Sequence, residues 1–230
     1  MQKSEIHQTD WKKGFSYSLP VAMGYLPAGI AFGVLAQVAG IPLWASIMLS
    51  VVLFAGAAQY ACIPMLASGI PLSQLGTNIA AINLRHVFYG LPLLQQLPTN
   101  ILARTYCLFA LTDETFSVLT SLPKNERQAV MLPVSLFNQS WWVLATIIGG
   151  LLGNILGDMI PHLDFALICL FVILAYEQFK AVNSFFPIFV AFASIIVALP
   201  FASDWLLLTS IGLSTIIILV VAKFKGASDE

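Results

Sequence analysis

The sequence predicts an all-α fold, a polytopic membrane helix bundle of about seven to eight transmembrane helices. Three observations predict it. Hydrophobic residues make up 59% of the 230-residue chain and charged residues 9%, against about 25% charged in an ordinary soluble domain. Charges are absent from whole windows: 71 residues from Gly14 to Leu84, 30 from Gln128 to Gly157, 23 from Ala181 to Ser203 and 18 from Trp205 to Ala222. A spanning helix needs about 20 mostly apolar residues, so these windows have room for several spans. Finally, the apolar runs are continuous rather than alternating, which excludes an outer-membrane barrel. The same composition excludes a soluble enzyme and a disordered chain. A net charge of −1 without a basic run excludes a nucleic-acid binder.

Punctuation by Gly, Pro and Asn divides the chain into eight segments. They run over Phe15–Ala36, Leu43–Ser68, Leu72–Leu94, Ala103–Ser121, Val130–Leu152, Phe165–Tyr176, Ser184–Leu199 and Trp205–Ala222. The sixth is short and is expected to extend from near His162 to near Lys180. The first apolar stretch is too long for a cleavable secretory signal, so insertion is expected to use the first helix itself. Lys3, Lys12 and Lys13 precede the first segment, Lys124 and Arg127 follow the fourth, Lys180 follows the sixth, and Lys223 and Lys225 follow the last. An eight-span count puts all of these on one side, with cytoplasmic tails at 1–13 and 223–230. Arg104 falls on the other side. A re-entrant pair of half-helices over Leu102–Ser121 accommodates it and leaves seven spans.

Ionisable groups at membrane depth mark the candidate site. Arg85 and His86 lie inside the third segment, and Asp113 and Glu114 inside the fourth. An Arg or Asp facing the lipid centre costs about 2.5–3.5 kcal/mol on insertion scales, so these groups are expected to face the bundle interior, a partner or a wet cavity. At helical spacing Asn78, Ile82, Arg85 and Tyr89 form one stripe, and Asn83, His86 and Gly90 the next. An ion pair of Arg85 with Asp113 or Glu114 that only locks helices is the structural alternative to a substrate or proton site. Gln59 follows the small residues Gly56-Ala57-Ala58 and reads equally as ligand contact or interhelical glue. Asn138 and Gln139 interrupt the apolar pattern of the fifth segment, and Trp141-Trp142 behind them reads as a possible interface belt.

Pro20 and Pro27 sit in the first segment beside Gly24, Tyr25, Gly29 and Gly33. Pro27 lacks the amide hydrogen that would bond the carbonyl of Met23, so helix interruptions are expected near Pro27 and around Asp113–Glu114. Interrupted helices build many transporter sites. Gly29-xxx-Gly33 and Gly149-xxx-Gly153-xxx-Gly157 read as close-packing faces. Cys62, Cys107 and Cys169 lie in apolar segments without metal-ligand spacing and read as small buried hydrophobes. No cofactor or metal is expected.

Four motifs in order carry a family resemblance: Pro20-Val21-Ala22-Met23-Gly24-Tyr25-Leu26-Pro27-Ala28-Gly29-Ile30-Ala31-Phe32-Gly33, Phe54-Ala55-Gly56-Ala57-Ala58-Gln59-Tyr60, Asn83-Leu84-Arg85-His86-Val87-Phe88-Tyr89-Gly90 and Leu111-Thr112-Asp113-Glu114. With them the chain resembles the AzlC-type permeases over nearly its whole length. The resemblance implies a single transporter domain over 1–230 in the bacterial cytoplasmic membrane. It also implies export of branched-chain amino acids, and a small AzlD-type membrane subunit of about 100 residues, enough for about four spans, as partner.

The residue chemistry agrees with that implication. A zwitterion needs a cation for its carboxylate, which Arg85 can supply with bidentate geometry, and an anion for its ammonium, from Asp113 or Glu114. Phe54, Tyr60 and Phe88 are candidates for the aliphatic pocket. Glu114 or Asp113 is preferred over His86 as proton carrier. The expected site therefore comprises Tyr25, Pro27, Gln59, Asn83, Arg85, His86, Tyr89, Asp113, Glu114, Asn138 and Gln139. Two other classes use the same features: an ion channel or small-ion carrier, and a membrane-embedded enzyme. For the latter, only Asp113 is an aspartate securely at depth, and HExxH and GxSxG motifs are absent from the sequence.

Overall fold

Two long helices form a seam to which shorter helices attach. The computed structural model of the chain describes residues 9–156, 184–200 and 206–226, with isolated positions between 165 and 179. Side chains are described for most of these; those of Ala81, Arg85 and Phe88 are among the exceptions. Helix α1 spans Trp11–Val38. Asp10 caps it by accepting from the Lys13 amide at 3.0 Å. Next come α2 (Leu43–Met48), which runs on as a π-helical turn over Leu49–Leu53, and α3 (Gly56–Ala67). Helices α4 (Leu72–Asn83) and α5 (Arg85–Leu93) are separated only by Leu84, whose backbone stays right-handed helical. Helices α6 (Ile101–Phe109) and α7 (Asp113–Ser121) precede the long α8 (Lys124–Leu156). All of these lie in one compact unit, Met1–Tyr176. In a second unit, Glu177–Glu230, α9 (Phe186–Ala198) packs on α10 (Leu206–Gly226). Among the described residues there is no strand.

Helices α1 and α8 run parallel, and their contacts climb both sequences together. The Asp10 amide donates to the Ala129 carbonyl at 3.0 Å, and Trp141 Nε1 donates to Ser18 Oγ at 3.2 Å. Further along, the rings of Tyr25 and Trp142 stand edge-to-face with centroids 5.1 Å apart. Glycines allow this approach. A Cβ on Gly33 would lie 2.4 Å from the Thr146 carbonyl oxygen, and one on Gly149 would lie 2.0 Å from that of Ile30. The small-residue faces expected to pack closely do so at Gly29, Gly33, Gly149 and Gly153; Gly157 lies outside the described residues. Lys13 and Glu126 pair at 3.8 Å where both helices begin.

The structure corrects the expected helix interruptions. Helix α1 continues unbroken through Pro20 and Pro27, so no break exists near Pro27, although neither proline has an amide hydrogen to donate. Asn138 and Gln139 likewise lie inside an unbroken α8. An unexpected break falls instead at Phe54–Ala55, inside the second segment. Phe54 takes a left-handed conformation (φ 40°, ψ 51°) and Ala55 an extended one. The interruption expected at Asp113–Glu114 is present, with α6 ending at Phe109 and α7 beginning at Asp113. At about 1.5 Å per residue, a 12-residue half-helix such as α3 reaches about 18 Å, well short of a bilayer core of about 30 Å. Accordingly, two described helices pass as full spans on length and apolarity, Trp11–Val38 and Lys124–Gly153. The sixth expected segment, with His162, Cys169 and Lys180, lies outside the continuously described residues, as does Asp204.

Candidate functional site

The two helix breaks meet at Tyr25. Its ring lies edge-on to Phe54, with centroids 6.4 Å apart, and its hydroxyl lies 2.7 Å from Glu114 Oε2 and 2.8 Å from Thr112 Oγ1. Tyr25 is only 2% exposed and Glu114 6%, so the carboxyl group is held in the interior against a phenol. Local sequence explains α7. Thr112 is its N-cap, with Oγ1 accepting from the Thr115 amide at 3.3 Å. Asp113 and Glu114 then occupy the first turn, where the helix dipole favours negative charge. From α8, the Asn138 amide Nδ2 donates to Thr115 Oγ1 at 3.0 Å. Asn138 Oδ1 is buried and has no hydrogen-bond partner.

A second polar group fastens the first break to α8. Gln59 Nε2 donates to Ser50 Oγ at 2.9 Å, and Trp142 Nε1 donates to Gln59 Oε1 at 3.0 Å. The hydroxyls of Ser50 and Thr146 are 2.8 Å apart. All four side chains are buried. Gln59 therefore has the geometry of interhelical glue, and Trp142, 2% exposed, is a core residue rather than part of an interface belt. Gln139 Nε2 donates to the Val51 carbonyl at 2.9 Å, taking up one of the acceptors left orphaned where the helix stops. Gln139 Oε1 in turn accepts from Tyr106 OH at 2.6 Å.

The remaining expected residues gather around α5. The Tyr89 hydroxyl donates to Asp113 Oδ1 in a short contact, and the Tyr89 ring stacks on Phe116 at 4.9 Å. His86 Nδ1 lies 3.0 Å from the Asn83 carbonyl oxygen, and its ring meets that of Tyr89 edge-on at 5.6 Å. The Arg85 side chain, with the ion pair expected of it, and that of Phe88 lie outside the described residues. Tyr60 donates to the Ala28 carbonyl at 2.7 Å, one residue beyond Pro27. The structure thus brings Tyr25, Glu114 and Asn138 together, places Tyr89 and Asp113 beside them on α5 and α7, and assigns Gln59 and Gln139 to the first break. Sequence reading missed Thr112, Thr115, Ser50, Thr146 and Tyr106. Thr112 had a signal, since a Thr directly before two acids is an N-cap pattern. Single hydroxyls in apolar runs have none. Among the described residues no cluster of His, Cys, Asp and Glu could hold a metal ion.

Large apolar side chains point outward, with Met23 73% and Leu102 78% exposed, while hydroxyls, amides and a carboxyl group turn inward. Together with the two helices long and apolar enough to cross a membrane, this polarity fits an α-helical membrane protein. The stretch from α1 to α8 also identifies the family. Residues 20–156 match the family described as AzlC protein, and the chain belongs to it. An uncharacterized membrane protein of Archaeoglobus fulgidus is 34% identical over 173 residues, 74% of this chain and 76% of its own length. The branched-chain amino acid transport protein AzlC of Bacillus subtilis is 29% identical over 172 residues, 73% of this chain and 67% of its own. Inner membrane protein YgaZ of Escherichia coli is 28% identical over 228 residues, 95% and 93% of the two chains. No solved structure gives a significant match.

Proposed function

We propose that this protein is a secondary transporter that exports branched-chain amino acids such as L-valine across the bacterial cytoplasmic membrane, in exchange for protons and together with a small AzlD-type membrane partner. The observation that carries this reading is the meeting of two broken helices at Tyr25, with a buried carboxyl group and an unpartnered amide oxygen beside it. Broken helices at membrane depth expose backbone and side-chain polar groups to a solute without exposing them to lipid. The Bacillus subtilis relative is named as a branched-chain amino acid transport protein, which supports the substrate class. Export, as opposed to uptake, rests on the family resemblance.

The parallel α1 and α8 support the topology. Parallel packing requires an even number of crossings before α8, which is satisfied if α1, α2–α3, α4–α5 and α6–α7 each cross once. In that arrangement Lys12, Lys13, Lys124 and Arg127 share the cytoplasmic side. The half-helices α6 and α7 then cross together instead of re-entering.

The test is efflux of labelled L-valine from proteoliposomes containing the purified chain, with and without the small partner and with and without an imposed pH gradient. Valine flux that follows the gradient is expected. If valine, leucine and isoleucine all fail to move under every condition, the reading is wrong.

A further inference from the structure

The contacts of the half-helices fix the direction in which each runs. Helix α2 starts beside the far end of α8, where a Cβ on Gly150 would lie 2.4 Å from Leu43 Cδ1. The chain then descends α8, with Ser50 Oγ 2.8 Å from Thr146 Oγ1 and the Val51 carbonyl accepting from Gln139 Nε2 at 2.9 Å. At Phe54, against Tyr25, it turns. Helix α3 climbs α1 from there: the Tyr60 hydroxyl donates to the Ala28 carbonyl at 2.7 Å, and the Tyr60 ring lies 5.8 Å from that of Phe32. Since α1 and α8 are parallel, α3 returns to the end at which α2 began. Gln59 and Ser50, on opposite limbs, are accordingly hydrogen-bonded at 2.9 Å across the turn.

Helices α6 and α7 make the same turn from the opposite end. Before α6, the Leu97 carbonyl accepts from Gln128 Nε2 at 3.4 Å, near the start of α8; within α6, Tyr106 OH donates to Gln139 Oε1 at 2.6 Å. Helix α7 runs back, with Thr115 Oγ1 3.0 Å from Asn138 Nδ2 and the Leu122 carbonyl 2.9 Å from Arg127 Nε. From Gly150 to Gln139 and from Gln128 to Gln139, each pair follows α8 for about 16 Å at about 1.5 Å per residue, half of a bilayer core of about 30 Å. Between the pairs, α4 begins beside α3, with Asn78 Nδ2 3.8 Å from Met65 Sδ, and α5 leads to Leu97 at the other end, so α4–α5 runs opposite to α1.

A short sequence repeat accompanies this pattern. Gly24-Tyr25-Leu26-Pro27 of α1 precedes the first turn, at Leu53-Phe54-Ala55, and Tyr89-Gly90-Leu91-Pro92 of α5 precedes the second, at Leu108-Phe109-Ala110.

We propose that α2–α3 and α6–α7 are re-entrant hairpins that enter the membrane from opposite faces, two inverted copies of one unit of crossing helix plus hairpin, and that their tips meet at Tyr25 and close the polar site from the outer and the cytoplasmic side respectively. The closing role rests on the transport reading above; the topology does not. Parallel α1 and α8 need an even number of crossings between them, and α1 with α4–α5 supplies it, so the contacts replace single crossings by α2–α3 and α6–α7. Arg104, exposed on α6, then joins Lys12, Lys13, Lys124 and Arg127 on the cytoplasmic side, whereas single crossings leave it outside. Inverted repeats that meet at mid-membrane are a recurrent way to build alternating access. Apolar packing seals each limb: Leu119 of α7 is buried in a cluster with Leu97, Val130 and Met131, and Ile63 of α3 in one with Phe32 and Ala36.

The experiment replaces Cys62, Cys107 and Cys169 by alanine in the full chain, adds single cysteines, and labels them with a membrane-impermeant maleimide in spheroplasts and in inside-out vesicles. Ser68 and Thr99, both exposed, discriminate: hairpins put Ser68 outside and Thr99 in the cytoplasm, and single crossings put them the other way round. Val38→Cys outside and Ser121→Cys inside are controls under both topologies. Ser68→Cys is expected to label only in spheroplasts and Thr99→Cys only in inside-out vesicles; the opposite side at either position overturns the proposal. A position silent from both sides is read with an epitope inserted there and antibody access on each side. For the gates, Thr112→Cys reports the tip, while Leu119→Ser and Ile63→Ser each loosen one hairpin. A small charged thiosulfonate is expected to reach Thr112→Cys from the cytoplasmic side with Leu119→Ser and from the outer side with Ile63→Ser. Access from the other side, or no access in either variant, overturns the closing role. The expected labelling in a protein that moves no branched-chain amino acid keeps the hairpins and refutes the transport reading. Valine flux with Ser68 or Thr99 on the opposite side does the reverse.

Discussion

Replacing Gly149 by alanine tests whether the α1–α8 seam is the element that positions the site. The added Cβ would lie 2.0 Å from the Ile30 carbonyl oxygen, 2.7 Å from its carbon and 2.8 Å from the Ile30 Cα, where ordinary contact begins at 3.4 Å. The obstacle is backbone, so no rotamer change relieves it, and the helices must part locally by about 1.4 Å. Overpacking of this kind costs about 1–3 kcal/mol. Thr146, one turn earlier on α8, bonds Ser50 of the neighbouring π-helical turn, and losing that bond adds about 1 kcal/mol. Gly76→Ala is the control: it lies on α4 with nothing within 4 Å of the new Cβ, and helix propensity makes it stabilising by up to about 1 kcal/mol. Thermal unfolding in one detergent, followed by tryptophan fluorescence, compares the two. Gly149→Ala is expected to melt several degrees below the wild type and Gly76→Ala at or above it. If Gly149→Ala melts with the wild type, the seam is not tight and the parallel pairing drawn from it is wrong.

Two further substitutions separate the residues that hold the breaks from those that do not. Gln59→Leu leaves the Trp142 indole N–H and the Ser50 hydroxyl short of a partner, and a loss of about 1–2 kcal/mol is expected in the same unfolding assay, with a shift in tryptophan emission; unchanged stability would remove Gln59 from the role of fastening the break. Pro27→Ala is expected to keep valine flux and to maintain or raise stability, because α1 is already one continuous helix through this position and alanine adds the missing amide donor. Loss of flux from a folded Pro27→Ala protein would restore Pro27 to the site.

Helix existence was largely legible in the sequence, because a bilayer demands long uncharged apolar runs and a short list of turn residues ends them. The break at Asp113 was legible too, through the half-helix pair over Leu102–Ser121 that accommodates Arg104. The break at Phe54–Ala55 was not. Its left-handed residue is a phenylalanine, for which that conformation costs about 1–2 kcal/mol, and what holds it is remote in sequence: the Gln139 amide on the Val51 carbonyl, and Trp142 and Thr146 on Gln59 and Ser50. Pro27 misled for the mirror-image reason. Proline is a strong local signal, yet the long contact of α1 with α8 keeps the axis continuous.

The sequence by itself determined the membrane class, the family and the presence of ionisable groups within apolar segments, since each depends on local composition or on ordered motifs. Only the tertiary structure decided which polar groups meet. Tyr25, Thr112, Glu114, Thr115 and Asn138 come from three helices, and hydrogen-bond partners separated by up to 89 positions cannot be read from spacing along one helix. The physical reason is that the apolar perimeter specifies only that polar groups turn inward, whereas the glycine contacts of α1 and α8 fix the register in which they face one another.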